Sequence, residues 1–414
     1  MTTRLIVGPF NRVEGDLEVR LTVEDGRVAR AHVNAPMYRG FEPMLGGRDP
    51  QDALVFVPRI CGICSVSQSV AAARALADLA QVAPPPNGAH TINLMLACEN
   101  LADHLTHFYL FFMPDFARPV YAARPWHATV VERMAAMSGS HARAAIAARQ
   151  RWFTILGTLG GKWPHTQSVG PGGSSRAIDA SERLRLLAKL REFRAFLEDT
   201  TFGAPLDEVA ALASEAELDA WHARDPQRGD LRLFLSLSAD LGLRTLGPGP
   251  GRYLSYGAYR DAAGGHALAP GLWDAQAGAL LPLDLGAISE DATHAWLNRS
   301  ETRPRHPAVG QTEPDADKPG AYTWNKAPRL AGQVVETGAL ARQMVAGQAL
   351  LRDVAGRHGA SVHSRVLARL IELACVVPWM EAWLLALRPG EPFHAAFTVP
   401  AEGRAVGLTE AARG

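Results

Sequence analysis

The sequence of 414 residues predicts a mainly α fold with added β structure (α+β). Long helices are expected to form a central bundle, with an N-terminal β-hairpin region and β-rich insertions. Three observations carry this: alternating apolar residues in the first 35 positions, helical apolar spacing from residue 66 onward, and a Gly-, Pro- and aromatic-rich stretch that interrupts it. Leu17, Val19, Leu21 and Val23 alternate with polar residues, and Asp25-Gly26 supplies a hairpin turn before Val28 to Val33. Helical spacing runs from Val66 to Leu79 and ends at Pro84-Pro85-Pro86. A second helix is predicted from about Thr91 to Phe112, stopped by Pro114. Further helical stretches are predicted near 129–157, 180–199, 207–223, 334–356 and 361–387. Residues 160–173 read as a Gly/Pro-rich loop containing His165, and residues 228–325 as short strands and loops. No internal repeat is visible, so residues 1–414 are expected to form a single intertwined domain.

Lys+Arg and Asp+Glu both number 42, which leaves no electrostatic footprint for nucleic acid or an anionic membrane. No apolar run is long enough to span a bilayer. The N-terminus lacks the apolar core of a signal peptide, so the chain reads as cytoplasmic. Four cysteines, Cys61, Cys64, Cys98 and Cys375, are too few and too unevenly placed for a disulfide framework.

Arg59-Ile60-Cys61-Gly62-Ile63-Cys64 is the strongest local signal. Two thiolates two residues apart at a loop-to-helix junction can converge on one soft metal, with Gly62 letting the backbone turn tightly. A helix N-terminus favours the thiolate form. Half of a zinc site and a redox disulfide are the other readings. A zinc ribbon needs a second pair, which is not in the sequence, and a thioredoxin-like site wants a βαβ context. On the second helix Asp103, His107 and Phe111 are four residues apart and so share a face; alone, such a set is commonly a core hydrogen-bond network. Cys98 and Cys375 read as buried small hydrophobes. Glu14 and Glu42 sit in Gly-flanked segments unlike solvated faces.

Further segments join these in a fixed order: Arg12-Val13-Glu14-Gly15, Arg39-Gly40-Phe41-Glu42, the Arg59–Cys64 run, Asp103-His104-Leu105-Thr106-His107-Phe108-Tyr109, Gly160-Gly161-Lys162-Trp163-Pro164-His165, Lys326-Ala327-Pro328-Arg329, Glu336-Thr337-Gly338-Ala339-Leu340-Ala341-Arg342 and Glu410-Ala411-Ala412-Arg413-Gly414. Together they resemble the large subunit of nickel–iron hydrogenases, over nearly the whole chain.

The resemblance implies heterolytic cleavage of H2 at a nickel–iron centre carrying Fe(CN)2(CO). Cys61 would be a terminal nickel ligand and Cys64 a thiolate bridging the two metals. Glu14 would pass protons, and Glu42 would bind a separate Mg2+. Arg413 and Asp103 would form a polar canopy over the open metal position. Gln68 and His107 would lie behind the metal ligands. The His165 loop would face an iron–sulfur small subunit.

Gln68 and Asp16, where the family more often carries histidine, resemble the hydrogen-sensing members, as do Ile63 and Phe111 along the gas path. A signalling histidine kinase would then be a further partner. An energy-converting uptake enzyme is the alternative, and a metal-free scaffold on the same fold is a reading of another class. Ala412 replaces the usual proline and is expected to loosen Arg413. The family's second Cys-x-x-Cys, expected some tens of residues after Gly414, is not in the sequence; this implies a C-terminally truncated chain that is inactive alone.

Overall fold

The computed structural model describes residues 2–8, 10, 15–301 and 303–414. Glu14, the expected proton carrier, and Arg12 and Val13 of its motif lie outside the described residues. Contacts divide the chain into two compact units, each assembled from two stretches: Met1–Arg48 with Asp284–Val335, and Asp49–Leu283 with Glu336–Gly414. Where the sequence is read as one intertwined domain, the contacts thus resolve two discontinuous units.

In the first unit, β1 (Thr2–Val7), β2 (Glu18–Glu24) and β3 (Arg27–Asn34) form an antiparallel meander with β2 central. Register runs from Thr2↔Glu24 to Val7↔Val19 and from Glu18↔Asn34 to Glu24↔Arg27, with an irregularity at Thr22/Val23. Asp25 and Gly26 both have positive φ (49° and 78°), the geometry a two-residue hairpin turn of matching twist requires. The later stretch joins this sheet through the Thr323 hydroxyl, which accepts from Ala35 N (3.0 Å), and through Tyr38 stacked on Trp324.

The second unit holds the helices. The first, α1 (Ser65–Ala80), starts at Cys64 and ends at Gln81, whose φ of 50° breaks the helical path. Next, α2 (Pro86–Thr106) opens with Pro86, whose fixed φ suits a first helical turn. Buried residues encircle α2, as expected of a central helix. It packs against α1, α3 (Ser140–Gly160) and, after α4 (Ala180–Phe196) and α5 (Asp230–Asp240), α6 (Ala339–Ala346), the C-terminal α7 (Val362–Ala386). Capping boxes start α4 (Asp179 with Glu182) and α7 (Ser361 with Ser364), each satisfying two orphan backbone donors. Arg252–Ser255, Gly271–Asp274 and Ala279–Leu281 form a small antiparallel sheet beside α6.

The mainly helical bundle with small sheets agrees with the expectation; several boundaries do not. Residues 230–240 form a helix where strands and loops were expected. The alternating Leu231, Leu233, Leu235 and Leu237 mimic one face of a strand, but Arg232 and Phe234 between them are buried as well, so the segment is a helix buried around most of its circumference. The 334–356 stretch starts only at Ala339 and breaks at Gly347 (φ 84°), and the 129–157 stretch breaks between Met134 and Ser140. The second predicted helix becomes a π-turn over His107–Phe112.

Candidate metal centre

Cys64 stands at the N-cap of α1, and Gln68 one turn later donates from Nε2 to Cys64 Sγ at 3.8 Å. Cys61 and Cys64 are partly buried. The adjoining Cys61 thiol, and then burial, push the Cys64 thiol far above its ordinary range. That measures how unfavourable two bare thiolates side by side are, and a soft dication between them removes the penalty while displacing both protons. The donor chemistry therefore fits one thiolate pair of a nickel–iron site. Cys98 is fully buried against the Trp152 carbonyl, and burial raises the Cys375 thiol to about 12, so neither is a competing thiolate. Gly62 does not have the positive φ expected of a tight turn; a Cβ there would meet Pro164 at 3.7 Å, an ordinary contact.

Arg413 donates to both oxygens of Asp103, from Nη2 to Oδ1 at 2.7 Å and from Nε to Oδ2 at 3.3 Å. Arg369 Nη1 approaches the same carboxylate at 3.6 Å. Burial raises the Asp103 pKa, but the Arg413 hydrogen bond and charge more than offset it and leave it below the usual carboxylate range. Ile63, Asp103 and Phe111 line one cavity of about 40 Å³ with Thr106, Glu99 and Trp163. Ile63 of the cysteine loop and Asp103 thus line the same small cavity, which has room for a water-sized occupant. His107 does not line it. That residue opens the π-turn and stacks on Phe112 (5.8 Å between centroids), while the extra residue in the coil shifts Phe111 from the position a regular helix would give it. Burial, then Arg369, holds His107 neutral, with a pKa of about 3.

The C-terminal motif is anchored more firmly than Ala412 suggested. Arg342 of α6, fully buried, donates to the Ala411 and Ala412 carbonyls (2.6 and 3.2 Å), to Glu410 (3.1 Å) and to Glu372 of α7 (2.8 Å). Glu372 also meets His104 at 3.1 Å. Backbone carbonyls held by a buried guanidinium fix the residues before Arg413, so the missing proline does not leave the segment loose.

Glu42 lies in the other unit, in the first turn of Phe41–Leu45, exposed and 3.7 Å from Lys326 Nζ. Among the described residues no three His, Cys, Asp or Glu side chains form a metal-holding group. Sequence reasoning missed Glu99, Glu372 and Arg369. Their signal was available: a carboxylate or guanidinium inside an otherwise apolar helix, as in Ala97-Cys98-Glu99 and Ile371-Glu372-Leu373, is rarely buried without a partner.

The comparisons identify the family and the fold. The family model for nickel-dependent hydrogenases matches residues 39–143 and 238–414. The large subunit of the periplasmic NiFeSe hydrogenase of Desulfomicrobium baculatum is 26% identical over 449 residues, covering 99% of this chain and 80% of that protein. The quinone-reactive Ni/Fe-hydrogenase large chain of Wolinella succinogenes is 27% identical, covering 83% of this chain and 68% of its own length. The oxidised NiFeSe hydrogenase of Desulfovibrio vulgaris Hildenborough superposes with a TM-score of 0.81 at 28% identity, over 100% of this chain and 85% of that one.

The chain belongs to the nickel-dependent hydrogenase family. It is a hydrogenase large subunit, an oxidoreductase acting on H2, of the kind that pairs with a small subunit. The cytoplasmic expectation is overturned, since the Desulfomicrobium relative is periplasmic by name. No helix among the described residues is long and apolar enough to cross a membrane.

Proposed function

We propose that this chain is the catalytic large subunit of an energy-converting uptake hydrogenase, splitting H2 heterolytically and passing the electrons to an iron–sulfur small subunit. One observation carries the reading: the cavity where Ile63, from between the two thiols, faces Asp103 with Arg413 bound to it. Cys61 and Cys64 would supply one thiolate pair to the nickel–iron centre, with Fe(CN)2(CO) as its iron half. When bound, that centre supplies the Lewis acidity that polarises H2 and takes up its electrons. Arg413 keeps a fixed positive charge at the cavity rim, aimed by Asp103. Ile63 and Phe111 admit only small gases, and Glu14 accepts the proton. Magnesium at Glu42 fits less well: the carboxylate is exposed and shared with the Lys326 ammonium, so no step is assigned to that ion.

The relatives' names support uptake chemistry over sensing. The Gln68–Cys64 hydrogen bond supports the second reading, an H2 sensor that reports to a histidine kinase. Anaerobic H2-dependent reduction of methyl viologen by the complex with its small subunit separates the two. Uptake chemistry predicts turnover on the order of 10–100 per second, abolished by Cys64→Ser. Turnover below roughly 1 per second, with H2-dependent kinase activity, would replace it by the sensor. Nickel-free, inactive complex would leave the scaffold.

A further inference from the structure

Glu99 lies on α2 one turn before Asp103 and is 3% exposed. Its carboxylate accepts four hydrogen bonds from two separate segments. Three come from the start of α1: Val66 N (2.9 Å) and Ser65 Oγ (3.3 Å) on Oε2, and Ser67 N (3.0 Å) on Oε1. The fourth is the Trp163 indole N–H on Oε2 at 2.8 Å. Trp163 belongs to the loop after α3, which meets the cysteine loop again where His165 N donates to Ser65 Oγ (3.3 Å) and His165 Nδ1 lies 3.1 Å from Pro58 O. Trp163 is itself fixed, stacked on Phe153 at 4.5 Å.

The orphan amides of a helix N-terminus need acceptors, and a buried carboxylate from another helix is an unusual way to supply them. Cys64 offers no side-chain cap of its own. We propose that Glu99 is a positioning residue: its carboxylate fixes the first turn of α1, and with it the direction of the Cys64 thiol, and locks that turn to the Trp163–His165 loop. This deepens the metal-site reading of Cys64 and rests on it. The carboxylate is suited because the donors divide between two acceptor oxygens. Glutamine keeps the shape but offers one oxygen and one NH2, so one side of the arrangement must face donor against donor. The cavity-lining methylenes of Glu99 stay in place under that change.

The test uses the complex with the small subunit and backbone amide hydrogen exchange. Glu99→Gln should accelerate exchange at residues 64–68 and at 161–166 together by at least about tenfold, as losing an acceptor shared by buried donors implies. Exchange across Val362–Ala386 should not change. Trp163→Phe, which removes only the indole donor, should loosen 161–166 and leave 64–68 protected; it serves if Glu99→Gln fails to fold. In viologen reduction, Glu99→Gln should lower kcat about tenfold with KM for H2 within roughly twofold, a loss of orientation without loss of binding. Unchanged exchange in both segments, or a uniform rise everywhere, overturns the proposal, as does a Trp163→Phe variant that loosens both. If wild-type complex does not turn over H2, the hydrogenase reading fails while the exchange result still decides the role of Glu99.

Discussion

Arg413 reaches Asp103 across 310 positions of sequence, and Ile63 and Phe111 close the cavity beside that pair. Each residue limits something different: the arginine fixes charge, the aliphatic and aromatic side chains fix free volume. Ile63→Val with Phe111→Leu removes a few methylene-sized volumes and should cost about 1–3 kcal/mol of stability. In a complex that works in air, widening the cavity should confer oxygen sensitivity while anaerobic H2 oxidation changes little. Turnover in air and under argon, compared before and after substitution, measures this; a folded double variant that stays oxygen-tolerant would make the two residues plain core. Cys61, Cys64, Asp103 and Arg413 were legible because their motifs stand out in the sequence. Glu99 was legible only as a carboxylate inside an apolar helix; its partners were not, because the four donors arrive from segments 32 to 64 residues away.

At the scale of elements, α2 carries Glu99, Asp103 and His104, so one helix presents a carboxylate to α1, another to Arg413 and an imidazole to α7. The network between α2, α6 and α7 titrates as a consequence. Burial alone would raise Glu372, but the Arg342 charge and the His104 bond hold it at about 2, against 4.5 for an ordinary glutamate. A depressed folded-state pKa gives stability that is full above pH 4.5 and is lost as pH falls toward 2. Its size is on the order of 3 kcal/mol. Urea midpoints between pH 6 and pH 2.5 should fall, and Glu372→Gln should flatten part of that slope while destabilising the protein at pH 7, because Arg342 is left buried with one acid fewer. A pH profile identical in the variant would mean that another acid dominates. Helix starts were legible in part: the stretches predicted from 180 and 361 begin at Ala180 and Val362, whereas Pro86, taken as part of a stop, opens α2. The π-turn was not, since His107–Phe112 has ordinary helical composition and only the tertiary fit selects the wider coil.

At the scale of the molecule, the thiols divide into one pair at the α1 N-terminus and two single cysteines set apart from it. Two thiolates leave a bimetallic centre with open coordination and unbalanced charge. The isolated 414-residue chain should therefore hold nickel and iron at well below one of each. Plasma emission analysis checks this, and near-stoichiometric metal with cyanide and carbonyl infrared bands would refute it. Motif order exposed the family over the whole chain, and apolar periodicity exposed the bundle. The division into two units stayed hidden, because it depends on which distant stretches pack together.

That division has a consequence during synthesis. The β1–β3 meander leaves the ribosome early, but the stretch that completes its unit, Asp284–Val335, follows only after about 235 further residues. At ordinary elongation rates this is a wait of roughly 10–50 s. Throughout it, a three-stranded sheet with open edges stands without the Thr323 hydroxyl and the Trp324 ring that later secure it. For that interval the nascent sheet exposes strand edges that a chaperone could cover.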